Sequence, residues 1–109
     1  MKLLQINIDH QITPEQFAAS AADTEKFAHV IAKQPGLLWK IWIGEPSRSE
    51  VGGIYLFESD AAARAFVEGP IFAQIKQNPG FTRVEAKLFD VDLHNSTITR
   101  APLPIDARS

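Results

Sequence analysis

Gln34-Pro35-Gly36-Leu37 and its echo Asn78-Pro79-Gly80-Phe81 organise this chain. In each, a Pro-Gly pair ends a stretch with helical spacing and hands over to a stretch with strand character. The interval from the first proline to the second equals the length of one strand–helix–strand unit. The chain therefore reads as two copies of that unit, in the order βαββαβ.

The elements around the two signals fit this order. Upstream of the first, Leu4, Ile6 and Ile8 alternate as on a strand. Thr13-Pro14-Glu15-Gln16 opens a helix, with Thr13 as cap, Pro14 at the first helical position and Gln16 completing a capping box. Phe17, Ala21, Thr24, Ala28 and Ile31 carry that helix onward, with Phe27 and Val30 widening its stripe. Between the signals, Leu37 to Ile43 is rich in aromatic and β-branched residues. Gly44 to Ser49 has turn chemistry, and Gly53 to Phe57 reads as a third strand. Ser59-Asp60 caps a second helix over Ala61 to Val67, broken by Gly69-Pro70; a short helical stretch carries Ile71, Phe72 and Ile75. Phe81 to Val91 alternates as the last strand. The fold class is α+β and ferredoxin-like: a four-stranded antiparallel sheet with its helices on one face. Residues 1–91 form the domain, and 92–109, polar and carrying Pro102 and Pro104, read as an extended arm without a core of its own.

Composition bounds the function. The 109 residues suffice for one domain, and 45% hydrophobic content with 7 Phe, 2 Trp and 1 Tyr excludes disorder over most of the length. The net charge of −2 is spread without a basic run, so a nucleic-acid partner is not expected. With no cysteine, disulfides, thiolate nucleophiles and cysteine-held metals are absent. Met1 to Asn7 breaks its apolar pattern too early for a signal peptide, and no stretch nears the roughly 18 apolar residues of a membrane span. The expectation is a cytoplasmic protein without membrane contact.

Both faces of the sheet look apolar. Alternation puts Leu37, Trp39, Ile41 and Ile43 on one face of the second strand, and Leu38, Lys40 and Trp42 on the other. In the third strand Ile54 and Leu56 face one way, Tyr55 and Phe57 the other. A sheet with helices on one side and water on the other should be polar on its wet face. The expected partner is a second copy packed sheet to sheet as a two-fold homodimer. The arm, with Ile98, Leu103 and Ile105 among polar residues, either embraces that copy or frays.

Few residues can carry chemistry. His10, His29 and His94 have neither the spacing of a metal site nor a nucleophile motif around them, so no metal and no cofactor is expected. Gly52-Gly53 is too short to cradle a phosphate; it lets backbones approach or permits a bulge. Gln5 and Asn7 share a face of the first strand, where they line a cavity or bond to neighbours. Trp39, Lys40, Trp42 and Tyr55 could wall a site for a flat aromatic molecule. Because Trp39 and Trp42 point oppositely, one is expected in a helix-side pocket and the other in the dimer contact. Lys40 either snorkels to solvent or aims a cation at an anionic ligand. His29, on the first helix, is a candidate base or a solvent-facing residue. The candidates are thus Asn7, His29 and Tyr55 for catalysis, and Trp39, Lys40 and Trp42 for substrate binding.

The segments Pro35-Gly36-Leu37-Leu38-Trp39-Lys40-Ile41-Trp42, Gly52-Gly53-Ile54-Tyr55-Leu56-Phe57 and Ala86-Lys87-Leu88-Phe89-Asp90-Val91 resemble the YdhR family of small mono-oxygenases. The tail Ser96 to Leu103 resembles that family's C-terminal end. The resemblance implies a dimeric α/β barrel in which two chains join their sheets. It further implies a superfamily whose members oxidise polycyclic phenols or quinone precursors without metal or flavin, or degrade haem. The haem-degrading branch uses an Asn, a Trp and a His; Asn7 is the candidate for the Asn, but the second helical region has no His, which counts against haem. The antibiotic-pathway oxygenases use Asn, Trp, Tyr and Arg residues, to which Tyr55 and Arg83 have no secure correspondence. The expected function is oxygenation of an aromatic phenol or quinone-type molecule in a pocket between sheet and helices. The substrate anion would supply the electron that triplet dioxygen requires, with hydrogen bonds from Asn7, Tyr55 or a tryptophan N–H favouring that anion. The alternatives are a non-catalytic dimeric ligand-binding module and a haem-binding relative, with His29 as its ligand.

Overall fold

A computed structural model describes residues 1–104. Its strands are β1 (Lys2–His10), β2 (Leu37–Glu45), β3 (Glu50–Phe57) and β4 (Phe81–Asp90). Its helices are α1 (Pro14–Ala19), α2 (Ala21–Ala32), α3 (Asp60–Val67), α4 (Pro70–Lys76) and α5 (Leu93–Ile98). The strands form one antiparallel sheet in the order β2-β3-β1-β4, so the βαββαβ, ferredoxin-like expectation holds.

The local signals work as their chemistry requires. Thr13 Oγ1 accepts from Gln16 N–H at 3.2 Å while Gln16 Oε1 accepts from Thr13 N–H at 2.8 Å, closing the capping box. Ser59 Oγ accepts from Ala62 N–H at 3.1 Å and starts α3. The two Pro-Gly stops differ in mechanism. Gly36 takes a left-handed φ of 77°, which a side chain would strain. Gly80 does not; there Asn78 Oδ1 accepts from Gly80 N–H at 2.8 Å and makes the turn.

Three expectations need correction. The first helix is two helices, parted at Ser20 (φ −99°, ψ 6°), whose hydroxyl donates to the Phe17 carbonyl at 3.2 Å and competes with helix continuation. In β2 the register slips between Leu37 and Trp39, so Leu37 pairs with Phe57 and packs on the core, on the side of Lys40 and Trp42. A bulge flips side-chain parity, which alternation alone cannot reveal. Finally, the arm is not wholly extended. Asp92 accepts from Asn95 N–H at 3.0 Å and nucleates α5. The helix closes with Ala101 N–H on the Ser96 carbonyl at 2.9 Å, across left-handed Arg100.

The register sorts the two faces. Leu4, Ile6 and Ile8, with Tyr55, Phe57, Ile31, Ala63, Phe66, Phe72 and Ile75, make the core between sheet and helices. Tyr55, Phe57 and Phe66 interlock there, Phe66 lying 5.2 and 5.6 Å from the other two rings. The opposite face is half apolar. Trp39, Ile41, Ile43, Ile54 and Leu56 share it on β2 and β3, whereas β1 and β4 contribute Gln5, Asn7, Arg83, Glu85 and Lys87, with Leu3 and Phe89 at one end. Ile41 and Phe89 stand 49% and 46% exposed on this face. Leu56 and Leu103 are buried outside the main core, and Trp39 Nε1 donates to the Pro102 carbonyl at 2.8 Å. Leu103 is thus covered by its own chain. Ile98 stays 62% exposed, and Ile105 lies outside the described residues.

Candidate functional site

Between the inner face of the sheet and the helices lies a cavity of about 440 Å³. Ile6 and Ile8 of β1, Val51 of β3, Phe27 of α2 and Ile75 of α4 wall it, together with Phe17 of α1, which is edge-on to His10 at 4.9 Å. An apolar cleft of this size with a few polar groups is the usual form of a small-molecule site. Its polar contributors include Lys40, Tyr55, Asp23 and Asn78.

Lys40 is the chemically unusual group. It crosses from the edge strand β2 over Gly53 of β3, with Nζ 3.4 Å from the centre of the Trp42 ring and 4.5 Å from that of Tyr55. Glycine makes this path possible. A Cβ on Gly53 would sit 2.5 Å from Lys40 Cε and 2.9 Å from Tyr55 Cε1. Among the described residues no carboxylate pairs with Lys40, so two aromatic faces are its compensation for lost water. Burial disfavours the charged form and lowers the amine from its ordinary 10.5 to about 7. Tyr55 is raised well above the usual phenol value by the same desolvation, so its hydroxyl stays protonated at neutral pH. The site therefore offers an amine poised between base and cation beside a permanent O–H donor.

Gly52 plays the neighbouring role on the backbone. A Cβ there would run into the Ile6 carbonyl, while the β1–β3 register passes Gly52 and Gly53 without a break. Of the two readings of this pair, close backbone approach is the one that applies.

The six sequence candidates divide. Lys40, Trp42 and Tyr55 meet at the cavity. Trp39, Asn7 and His29 do not line it. Trp39 and Asn7 lie on the opposite sheet face, where Gln5 Nε2 donates to Asn7 Oδ1 at 3.4 Å and Trp39 holds Pro102. His29 is an exposed residue of α2, so the haem-ligand role finds no support in its position. Lys40 and Trp42 also border a second, smaller cavity of about 180 Å³, beside Ala28, Leu37 and Trp39. Sequence reading missed Phe17, Phe27 and Asn78 as site residues. The two phenylalanines lay in plain helical periodicity, which cannot tell a cavity wall from a filled core.

Comparison with known proteins agrees with this architecture. Residues 3–102 match the family described as "Putative mono-oxygenase ydhR". No curated protein matches the chain. Among solved structures, a protein of unknown function from Nitrosomonas europaea is similar with a TM-score of 0.68 at 18% identity, covering 94% of this chain and 93% of that one. The monooxygenase from the gene ActVA-Orf6 of Streptomyces coelicolor, in complex with nanaomycin D, gives 0.64 at 18% identity over 94% and 91% of the two chains. SnoaB, a cofactor-independent oxygenase from Streptomyces nogalater, gives 0.59 at 19% identity over 84% and 93%. At these identities the structural likeness is one of fold. With the family match spanning nearly every residue of the sheet, the helices and the start of the tail, this chain belongs to the YdhR mono-oxygenase family.

Proposed function

We propose that this protein oxygenates a flat aromatic phenol, or a quinone precursor such as an anthrone, in the cavity between sheet and helices, and that Lys40 is its base. The observation that carries this reading is a desolvated amine, without an ion-pair partner among the described residues, held between two aromatic rings on the wall of an apolar cavity.

The chemistry balances without an external reductant. Lys40, as the neutral amine, takes the proton of the substrate O–H or acidic C–H. The ammonium so formed pairs with the phenolate or enolate, a charge arrangement that the low-polarity wall strengthens. The electron-rich anion gives one electron to dioxygen, and the radical pair recombines with a new C–O bond at the ring carbon. The O–O bond then breaks: one oxygen stays as the quinone carbonyl, and the other leaves as water with the two protons the substrate has lost. Tyr55 can donate its O–H to the developing oxyanion. This keeps the expected reaction and Tyr55 as a donor to the anion, and adds Lys40 in place of Asn7.

The homodimer belongs to the same proposal. Ile41, Ile43 and Phe89 leave half of the open sheet face apolar, and a second copy packed there would remove it from water. Sedimentation at micromolar concentration should give twice the chain mass; a stable monomer would refute the pairing.

The activity is checked with an oxygen electrode and anthrone. Purified protein should consume one dioxygen per anthraquinone formed, and Lys40→Met should lose the rate. Oxygen uptake that survives in Lys40→Met would remove Lys40 as the base, and no uptake with any anthrone or naphthol would leave the non-catalytic ligand-binding module as the better reading.

A further inference from the structure

The same geometry that suits Lys40 to proton transfer suits its amine to a second reaction, independent of dioxygen. An amine forms an imine with a carbonyl when it is neutral, reachable, and free of a carboxylate that would hold it as ammonium. Lys40 Nζ meets the last two conditions by position. It lies at the wall of a cavity of about 440 Å³, against the Trp42 and Tyr55 rings, with no ion-pair partner among the described residues. The other amines on the sheet are different. Lys2 lies 2.7 and 3.3 Å from the Asp90 and Asp60 carboxylates, and Lys87 lies 3.2 Å from Glu85. The apolar walls also select the carbonyl, because a planar arene can rest against Phe27, Val51 and Ile75 while its substituent reaches Nζ.

We propose that Lys40 captures flat aromatic aldehydes as a reversible imine, making the cavity a carbonyl-binding site. The amine nitrogen attacks the aldehyde carbon and forms a C–N bond. The resulting carbinolamine loses its hydroxyl with a proton from nitrogen, so that one water leaves and a C=N bond remains. No electrons are exchanged. The Tyr55 hydroxyl, a protonated donor in the same cavity, can hydrogen-bond the oxygen as it departs, while both hydrogens of the water come from the attacking amine. The neutrality condition follows from burial of Lys40, which leaves a large share of free amine near pH 7.

The test uses the full chain, 2-hydroxy-1-naphthaldehyde and borohydride, which reduces an imine to a stable secondary amine. Intact-mass and peptide analysis at pH 7 should find one saturable adduct on Lys40, formed at least ~10-fold faster than on Lys26, Lys33 or Lys76. Labelling of Lys40 should be half-maximal near pH 7, a readout that requires no variant. Lys40→Arg, checked for folding by circular dichroism, should lose the adduct. Label spread evenly over the surface lysines, label on the N-terminus alone, or no label would overturn the proposal. Since borohydride trapping does not involve dioxygen, its failure and the failure of the oxygenase reading are separate results.

Discussion

Lys2 and Lys40 both rise from the inner face of the sheet, each opposite an aromatic residue of β3: Lys2 pairs with Phe57 and Lys40 with Tyr55. Their surroundings then diverge. Lys2 sits where α3 begins and β4 ends, and it meets Asp60 and Asp90, whose hydrogen bonds raise its pKa. Lys40 lies beneath the helices at the cavity wall, meets two rings and, among the described residues, no carboxylate, and is lowered to about 7. One lysine ties the end of the sheet together. The other is kept chemically available at some cost in stability. The difference shows that residue type and sheet face do not settle what a lysine does; the neighbours brought by other elements do.

The largest break in this comparison is Lys40→Met. Anthrone oxidation should fall by about 100-fold or more, the usual weight of a positioned base. The thermal midpoint should rise, because a desolvated amine has been replaced by an apolar side chain. A variant that loses both rate and stability would mark Lys40 as structural.

The pH dependence sharpens the same point. In the wild type, kcat/KM should climb as pH rises through about 7 and then level off, following the neutral amine. The linked stability effect has a definite sign. The folded-state pKa of Lys40 lies below its unfolded value of 10.5, so between about 7 and 10.5 the unfolded chain binds more protons and stability rises with pH. Lys40→Met should flatten this rise. Lys2, Asp60 and Asp90 instead stabilise the fold in their charged forms. The two carboxylates are lowered, so their contribution is present at neutral pH and lost as pH falls below about 4. Lys2 is raised, and its share is lost only above its ordinary alkaline value.

Gly53→Ala offers an intermediate effect. Its Cβ would displace the end of Lys40, a flexible side chain, and press on the buried Tyr55 ring at 2.9 Å, so some stability should be lost while the rate falls by about 10-fold and the pH midpoint moves upward as the amine regains water. Gly52→Ala is the contrast. Its Cβ meets the Ile6 carbonyl, which cannot yield without disturbing the β1–β3 pairing, so soluble protein should be scarce.

Smaller changes are expected away from the cavity. Trp39→Phe removes the hydrogen bond to Pro102 and should cost about 1 kcal/mol in a denaturant titration, with anthrone turnover unchanged. Lys2→Ala should leave turnover unchanged too, and reduce the acid sensitivity of stability. A turnover loss in either variant would mean that the site extends beyond the inner face.

Much of this architecture was legible in the amino-acid order. The two Pro-Gly stops, the capping box at Thr13 and the period-two runs of β1, β3 and β4 are local features, and short-range sterics and hydrogen bonding decide them. The same reading brought Lys40, Trp42 and Tyr55 forward, because aromatic residues around a lysine on adjacent strands are visible as composition. The break at Ser20 and the capped helix α5 are also local and went unread, whereas the bulge that returns Leu37 to the inner face is set by the pairing with β3. Nor could local pattern choose which face of the sheet holds the cavity. That choice depends on how far α2 and α4 stand from β1 and β3, and on a glycine opposite Trp42 that clears a path for the lysine chain. Solvation of an amine is a property of everything packed around it in three dimensions, so only the tertiary structure could separate Lys40 from Lys2, and Asn7 and Trp39 from the cavity.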